Sequence, residues 1–187
     1  MDCTTWLCLL ANYISKGYKL FLWNPYVLQK IELPHHAQHS VIGDCILSSS
    51  PTAIDQICSI FLFSYHTSSI FYFQLGYEQW TEVDYCEELE TTLNLNGEKV
   101  SLMRYKSYLT NPVYCNGFLF AESFERYLVV IEQQHGYRGL TINSILVLMP
   151  TLPSTRFHRV CRLLGSNNEL YRIEILHTKY KVIYVVV

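Results

Sequence analysis

The stretch that most limits how this chain can fold is Leu20 to Pro34, LFLWNPYVLQKIELP. A short apolar run, Leu20 to Trp23, meets the dipeptide Asn24-Pro25, and a second run from Leu28 to Leu33 stops at Pro34. Asparagine can bond its own following backbone and proline pre-sets φ, so the dipeptide turns the chain. About fifty residues on, the pattern returns as IFYFQLGYEQWTEVD, Ile70 to Asp84. There a strand over Ile70 to Phe73, a turn at Gly76 and a strand over Gln79 to Val83 are expected. Two hairpins of one design predict a β-fold made of recurring units.

Composition supports this. With 50% apolar and 16% charged residues, the 187-residue chain is equipped to bury a core, as one domain or a generous part of a larger one. Its 15 Tyr and 9 Phe suit pleated surfaces. A formal net charge of -2 gives no basic footprint for nucleic acid or for an anionic membrane. Gln56 to Tyr77 carries no Asp, Glu, Lys or Arg and is long enough to span a bilayer. Its centre, however, holds Ser64, His66, Thr67, Ser68 and Ser69, which fits two buried strands about a polar turn. Asp2 stands where a secretory signal needs positive charge. The seven cysteines (Cys3, Cys8, Cys45, Cys58, Cys86, Cys115, Cys161) are odd in number and scattered, and no Asn-x-Ser/Thr acceptor occurs. Reduced thiols in a cytoplasmic or nuclear protein are the expectation.

Further strands are expected at Trp6 to Leu10, Val41 to Ser50 and Ile57 to Phe63, the last an unbroken apolar run typical of burial on both faces. Asn96-Gly97 predicts a hairpin between Thr91 to Leu95 and Glu98 to Arg104. Val113 to Cys115, Phe118 to Ala121 and Tyr127 to Ile131 follow, with Asn116-Gly117 a type I′ turn. The remaining expected strands are Thr141 to Met149, Arg159 to Leu164, Leu170 to Ile175 and Tyr180 to Val187.

Three groups invite a chemical reading. His35, His36 and His39 contain imidazoles of the kind zinc favours, but no Cys or acid nearby completes a tetrahedral set. Asp84, Glu87, Glu88 and Glu90 offer paired carboxylates, yet on a polar stretch with nothing to raise one pKa for acid–base work. Cys58 and Cys115 are the nucleophile candidates, but both lie in apolar runs where thiols are inert. A solvated His-rich loop, a solvated acidic connection and buried thiols are therefore expected, with no catalytic residue, no metal site and no cofactor.

Leu20, Ile70, Leu128 and Leu170 mark strands that recur at roughly fifty-residue spacing, the length of kelch-like propeller blades. A β-sandwich of about twelve strands would give a similar strand density. The propeller is preferred.

The order of elements resembles the plant F-box-associated β-propeller family, the KIB-type propeller. TTWLCLL, Thr4 to Leu10, followed by LFLWNPYVLQKIELP resembles that family's GWL-like strand and LFLxNPFTxxKIELP. SSPTAIDQICSIF, Ser49 to Phe61, is similar to its SSPTSPDCVVFGI segment, and Gly76 with Trp80-Thr81 to its GDExWT strand. VYCNGFLFAESFERYLVVIE and CRLLGSNNELYRIEI, Cys161 to Ile175, resemble its later hairpins. Thr5, Tyr26 and Tyr77 replace the family's Gly, Phe and Asp at three of these positions.

The resemblance implies an all-β, partial propeller of about four short-stranded blades over residues 1–187. Family members carry an F-box that docks on the adaptor of a cullin-type ubiquitin ligase, while the propeller recognises substrate. The residues before Leu20 already read as β-structure, so no F-box is expected, nor adaptor binding by the chain itself. The expected role is a non-enzymatic protein-interaction propeller with an unknown protein partner and no nucleic acid or membrane. Its contacts would come from loops such as His35 to Ser40, Asp84 to Thr92 or Gln133 to Gly139. The alternatives are a truncated gene product without independent function and, less favoured, a propeller-type hydrolase.

Overall fold

A computed structural model of the chain describes residues 7–14, 17–35, 42–54, 57–85, 108–123, 128–133, 140–145, 158–166, 169–177 and 182–186. Every regular element among them is a β-strand, and the strands form four antiparallel sheets in chain order. The first sheet holds β1 (Leu7–Ile14), β2 (Gly17–Asn24) and β3 (Gln29–Glu32). The second holds β4 (Ile42–Leu47), β5 (Ser59–Ser64), β6 (Ser69–Gln74) and β7 (Thr81–Asp84). The third is β8 (Leu109–Cys115), β9 (Phe118–Ser123), β10 (Leu128–Gln133) and β11 (Leu140–Ile145). The fourth is β12 (His158–Ser166), β13 (Glu169–His177) and β14 (Val182–Val186).

Within each sheet the described strands pair with their neighbours in sequence, and none crosses to another sheet. A sandwich would exchange strands between two sheets through Greek-key connections. Here the leading strand β8 packs against both β4 and β12, which sets successive meanders side by side as blades. The all-β, partial-propeller expectation holds.

The second sheet shows why the sequence folds this way. Successive side chains on a strand point to opposite faces. Ile60 and Leu62 of β5, with Phe71 and Phe73 of β6, pack against Leu20, Leu22 and Leu33 of the first blade. Phe61, Phe63, Ile70 and Tyr72 turn the other way, onto Leu109, Leu119, Ala121, Val129 and Ile131 of the third. Each such burial contributes about 1.5–3 kcal/mol. Two-sided packing explains the unbroken apolar run and the charge-free stretch around it. No helix among the described residues is long and apolar enough to cross a membrane.

Side chains close the turns. Asn24 Oδ1 accepts from the backbone N–H of Tyr26 at 3.0 Å and of Val27 at 3.4 Å, as the Asn-Pro signal predicts. Ser64 Oγ accepts from the N–H of His66 and of Thr67 in the polar turn between β5 and β6. Asn116 and Gly117, at φ 50° and 86°, form the primed turn expected between β8 and β9.

Several expectations need correction. The sequence pattern leads one to expect Leu20 to Pro34 to be mostly buried, but only Leu20, Leu22, Asn24 and Leu33 are, and Tyr26 is 81% exposed at the tip, beside exposed Val27 and Leu28. The strand expected from Gln79 begins instead at Thr81, because Leu75 to Trp80 make the turn. The strand expected from Val113 starts at Leu109 and runs through Pro112, which a bulge accommodates. The last strand, expected over Tyr180 to Val187, is described over Val182–Val186, and residues 180, 181 and 187 lie outside the described residues. Tyr85, placed in a solvated connection by sequence, is fully buried, and its hydroxyl accepts from the Leu109 N–H at 3.2 Å. The hairpin expected at Asn96-Gly97 lies outside the described residues.

Candidate functional site

In an antiparallel meander, the start of the first strand and the turn between the second and third share one end of the sheet. At that end of the second blade lie the start of β4 and Tyr65. Two leading strands are irregular there. β4 shifts register between Ile42 and Asp44, around Gly43, and β8 shifts between Thr110 and Val113, around Asn111-Pro112. Bulges re-aim side chains that a regular ladder would hold in the sheet faces.

The residue types fit these distortions. The Tyr65 ring lies directly across Gly43, in the space a Cβ would need. Asn111 sits at φ 52°, a left-handed conformation that asparagine tolerates better than other residues with a side chain. Pro112 has no N–H to leave unpaired.

These distortions bring polar groups from three blades together. Tyr65 donates its hydroxyl to Asp44 Oδ2 at 3.4 Å. Arg162 of β12 donates from Nη1 to Asn111 Oδ1 at 2.8 Å, and Asn111 Nδ2 donates to Glu122 Oε2 at 3.0 Å. Glu122 is only 5% exposed, so its carboxylate depends on such donors. Loss of surrounding water pushes the Tyr65 hydroxyl pKa up, and the Asp44 charge and hydrogen bond push it further. The Arg162 charge acts against them. The cluster thus mixes both signs of charge with neutral donors and acceptors. Such a surface suits directional contact with another protein, where complementary charge fixes partner and register.

The residues singled out by sequence are placed as follows. His35 is exposed on the connection after β3, whereas His36 and His39 lie outside the described residues. Asp84 ends β7, while Glu87, Glu88 and Glu90 lie outside the described residues. Of the three loops expected to make contacts, residues 36–40, 86–92 and 134–139 lie outside the described residues. Among the described residues, no three His, Cys, Asp or Glu side chains come together in a way that could hold a metal ion. Cys58 is buried with its thiol donated to the Ser49 carbonyl at 3.1 Å. Cys115 donates to the Glu169 carbonyl at 3.4 Å, across the third and fourth blades. Neither described thiol bond is to a histidine base.

Sequence reasoning missed Asp44, Asn111, Glu122 and Arg162. The available signals were Gly43-Asp44 and Asn111-Pro112, breakers set inside otherwise strand-like segments.

The family model described as KIB1-4 beta-propeller matches residues 1–187. No curated protein and no solved structure gives a significant match. The blade architecture and the full-length family match agree, and the chain belongs to the KIB1-4 β-propeller family.

Proposed function

We propose that this propeller is a protein-recognition module that recruits substrates to a cullin-type ubiquitin ligase in the cytoplasm or nucleus of a plant cell. The observation that carries the recognition role is the cluster of Asp44, Tyr65, Asn111 and Arg162, gathered from three blades beside the register shifts of the leading strands β4 and β8. The ligase assignment rests on the resemblance to F-box-associated propellers. The contact to the ligase adaptor would come from a partner or from another segment, since the propeller supplies recognition surface rather than a helical docking domain.

The test is a quantitative affinity purification from plant tissue of the wild-type protein against an Asp44→Lys, Arg162→Glu double variant. Recovery of ligase components with a set of proteins that the double variant loses is the expected result. Identical recovery by both forms would remove the cluster from the recognition surface. Absence of any ligase component from both would defeat the ligase assignment alone.

A further inference from the structure

The turn between β6 and β7 lies at the opposite end of β6 from Tyr65, so it is separate from the cluster just described. It encloses a cleft of about 400 Å³, lined by Tyr72, Tyr77 and Trp80 with Gln74, Glu78 and Thr81 among its polar groups. That volume falls within the range of small-ligand pockets.

Tyr72 stacks on Phe61 with centroids 5.5 Å apart and is buried, so its ring belongs to the core beneath and the accessible rings of the cleft are Tyr77 and Trp80. Trp80 packs against Phe73 at 5.1 Å, and its indole N–H donates to the Pro34 carbonyl of the first blade at 3.0 Å. Tyr77 stands on the turn, where its N–H donates to the Gln74 carbonyl at 3.1 Å and Gly76 takes φ 100°. Walls held this way need little ordering when a ligand enters, so less of the contact energy is lost.

The chemistry of the lining is one-sided. Aromatic faces carry negative potential, Glu78 supplies a formal negative charge, and no Lys, Arg or His lines the cleft. An anion would find no cationic partner here. A guanidinium or ammonium group would find ring faces and a carboxylate together, the arrangement in which cation–π attraction adds to charge pairing. The molecule already uses this contact elsewhere: Lys30 Nζ sits 4.5 Å from the centroid of the Phe21 ring.

We infer that the β6–β7 cleft is a binding site for a cationic side chain, an arginine or lysine of a partner protein, seated against Tyr77 and Trp80 with Glu78 as its counter-charge. It adds a second, chemically distinct contact to the molecule and does not depend on the ligase assignment.

The full chain is titrated, with indole fluorescence and calorimetry as readouts, against acetyl-Gly-Arg-Gly-amide and against the same peptide with citrulline in place of arginine. Citrulline keeps the shape and removes the charge. The arginine peptide is expected to bind about ten-fold more tightly than the citrulline peptide. Glu78→Gln and Tyr77→Ala, both on the exposed turn, are each expected to weaken it by about five- to ten-fold while leaving the melting temperature unchanged. Cellobiose serves as a neutral ligand that also stacks on aromatic rings. Equal binding of the two peptides, tighter binding of cellobiose, indifference to Glu78→Gln, or no binding of the arginine peptide at concentrations on the order of 10 mM would each overturn the inference.

Discussion

Arg162 Nη1 lies 2.8 Å from Asn111 Oδ1, so a side chain of the fourth blade holds the bulge residue of the third. Asn111 in turn gives its amide N–H to the buried carboxylate of Glu122. The orientation of the amide follows from these two neighbours, since only the oxygen can accept from arginine and only the nitrogen can donate to a carboxylate.

Asn111→Ala removes both bonds and leaves a Cβ-bearing residue at φ 52° without the side chain that made it tolerable. A cost of about 2–3 kcal/mol is expected, most of it from the buried carboxylate losing a donor. Arg162→Ala removes one exposed partner and should cost about 1 kcal/mol or less. Chemical denaturation of the two variants checks the order. Equal losses would mean that Glu122 does not rely on Asn111.

Gly43 and Gly165 both have no room for a side chain, but against different obstacles. The nearest atoms to a Cβ on Gly43 are those of the Tyr65 ring, which is partly exposed and can swing out. A Cβ on Gly165 meets Cys115 Cβ at 2.8 Å and the Tyr114 carbonyl at 3.3 Å. Gly165→Ala should therefore destabilise by about 1–3 kcal/mol, and Gly43→Ala by less, at the expense of the Tyr65–Asp44 bond. Thermal melts of the two variants decide it.

Leu28 is 77% exposed and held at φ 54° in the turn between β2 and β3. A bulky residue gains nothing there and stores strain of about 1–2 kcal/mol. Leu28→Gly should raise the melting temperature by a few degrees, about 2–4 °C per kcal/mol for a chain of this size. A fall in melting temperature would show that the leucine makes a stabilising contact.

Glu32 hydrogen-bonds Lys30 and pairs with Lys19 at 3.3 Å, and these bonds hold its carboxyl below the ordinary value of 4.5. Because the folded-state pKa is the lower one, the stabilisation is complete above 4.5 and is lost as pH falls through the folded value. The pair is exposed, so the effect is small and screened by salt. Lys19→Gln with Lys30→Gln should flatten the pH dependence of the melting temperature in that acid window, and added salt should do the same in the wild type.

What the sequence made legible was what short-range chemistry determines. Asn24-Pro25 and Asn116-Gly117 bend as their side chains dictate, and the apolar run expected as a strand over Ile57 to Phe63 is buried from Cys58 onward, whereas Ile57 is exposed and the strand itself begins at Ser59. The family-like hairpin at Leu20 to Pro34 was readable for the same reason. The cluster was not, because each member is unremarkable in its own segment. Asp44 and Arg162 meet a common site only after three blades are laid side by side, and Asn111 looks like another turn residue until the register shift around it is seen. Tyr85 was misplaced because its neighbours are acidic, while its own ring is held by Leu109 in the next blade.

β5 has further consequences. Ile60 and Leu62 belong to one core, and Phe61 and Phe63 to the next, yet they share a single backbone. Neither core can loosen without moving the strand that the other stands on. The second blade therefore acts as a party wall, and the two cores are expected to unfold cooperatively, melting together rather than in turn. A double-mutant cycle between residues pointing in opposite directions, such as Leu62 and Phe61, should show coupling even where the two side chains do not touch.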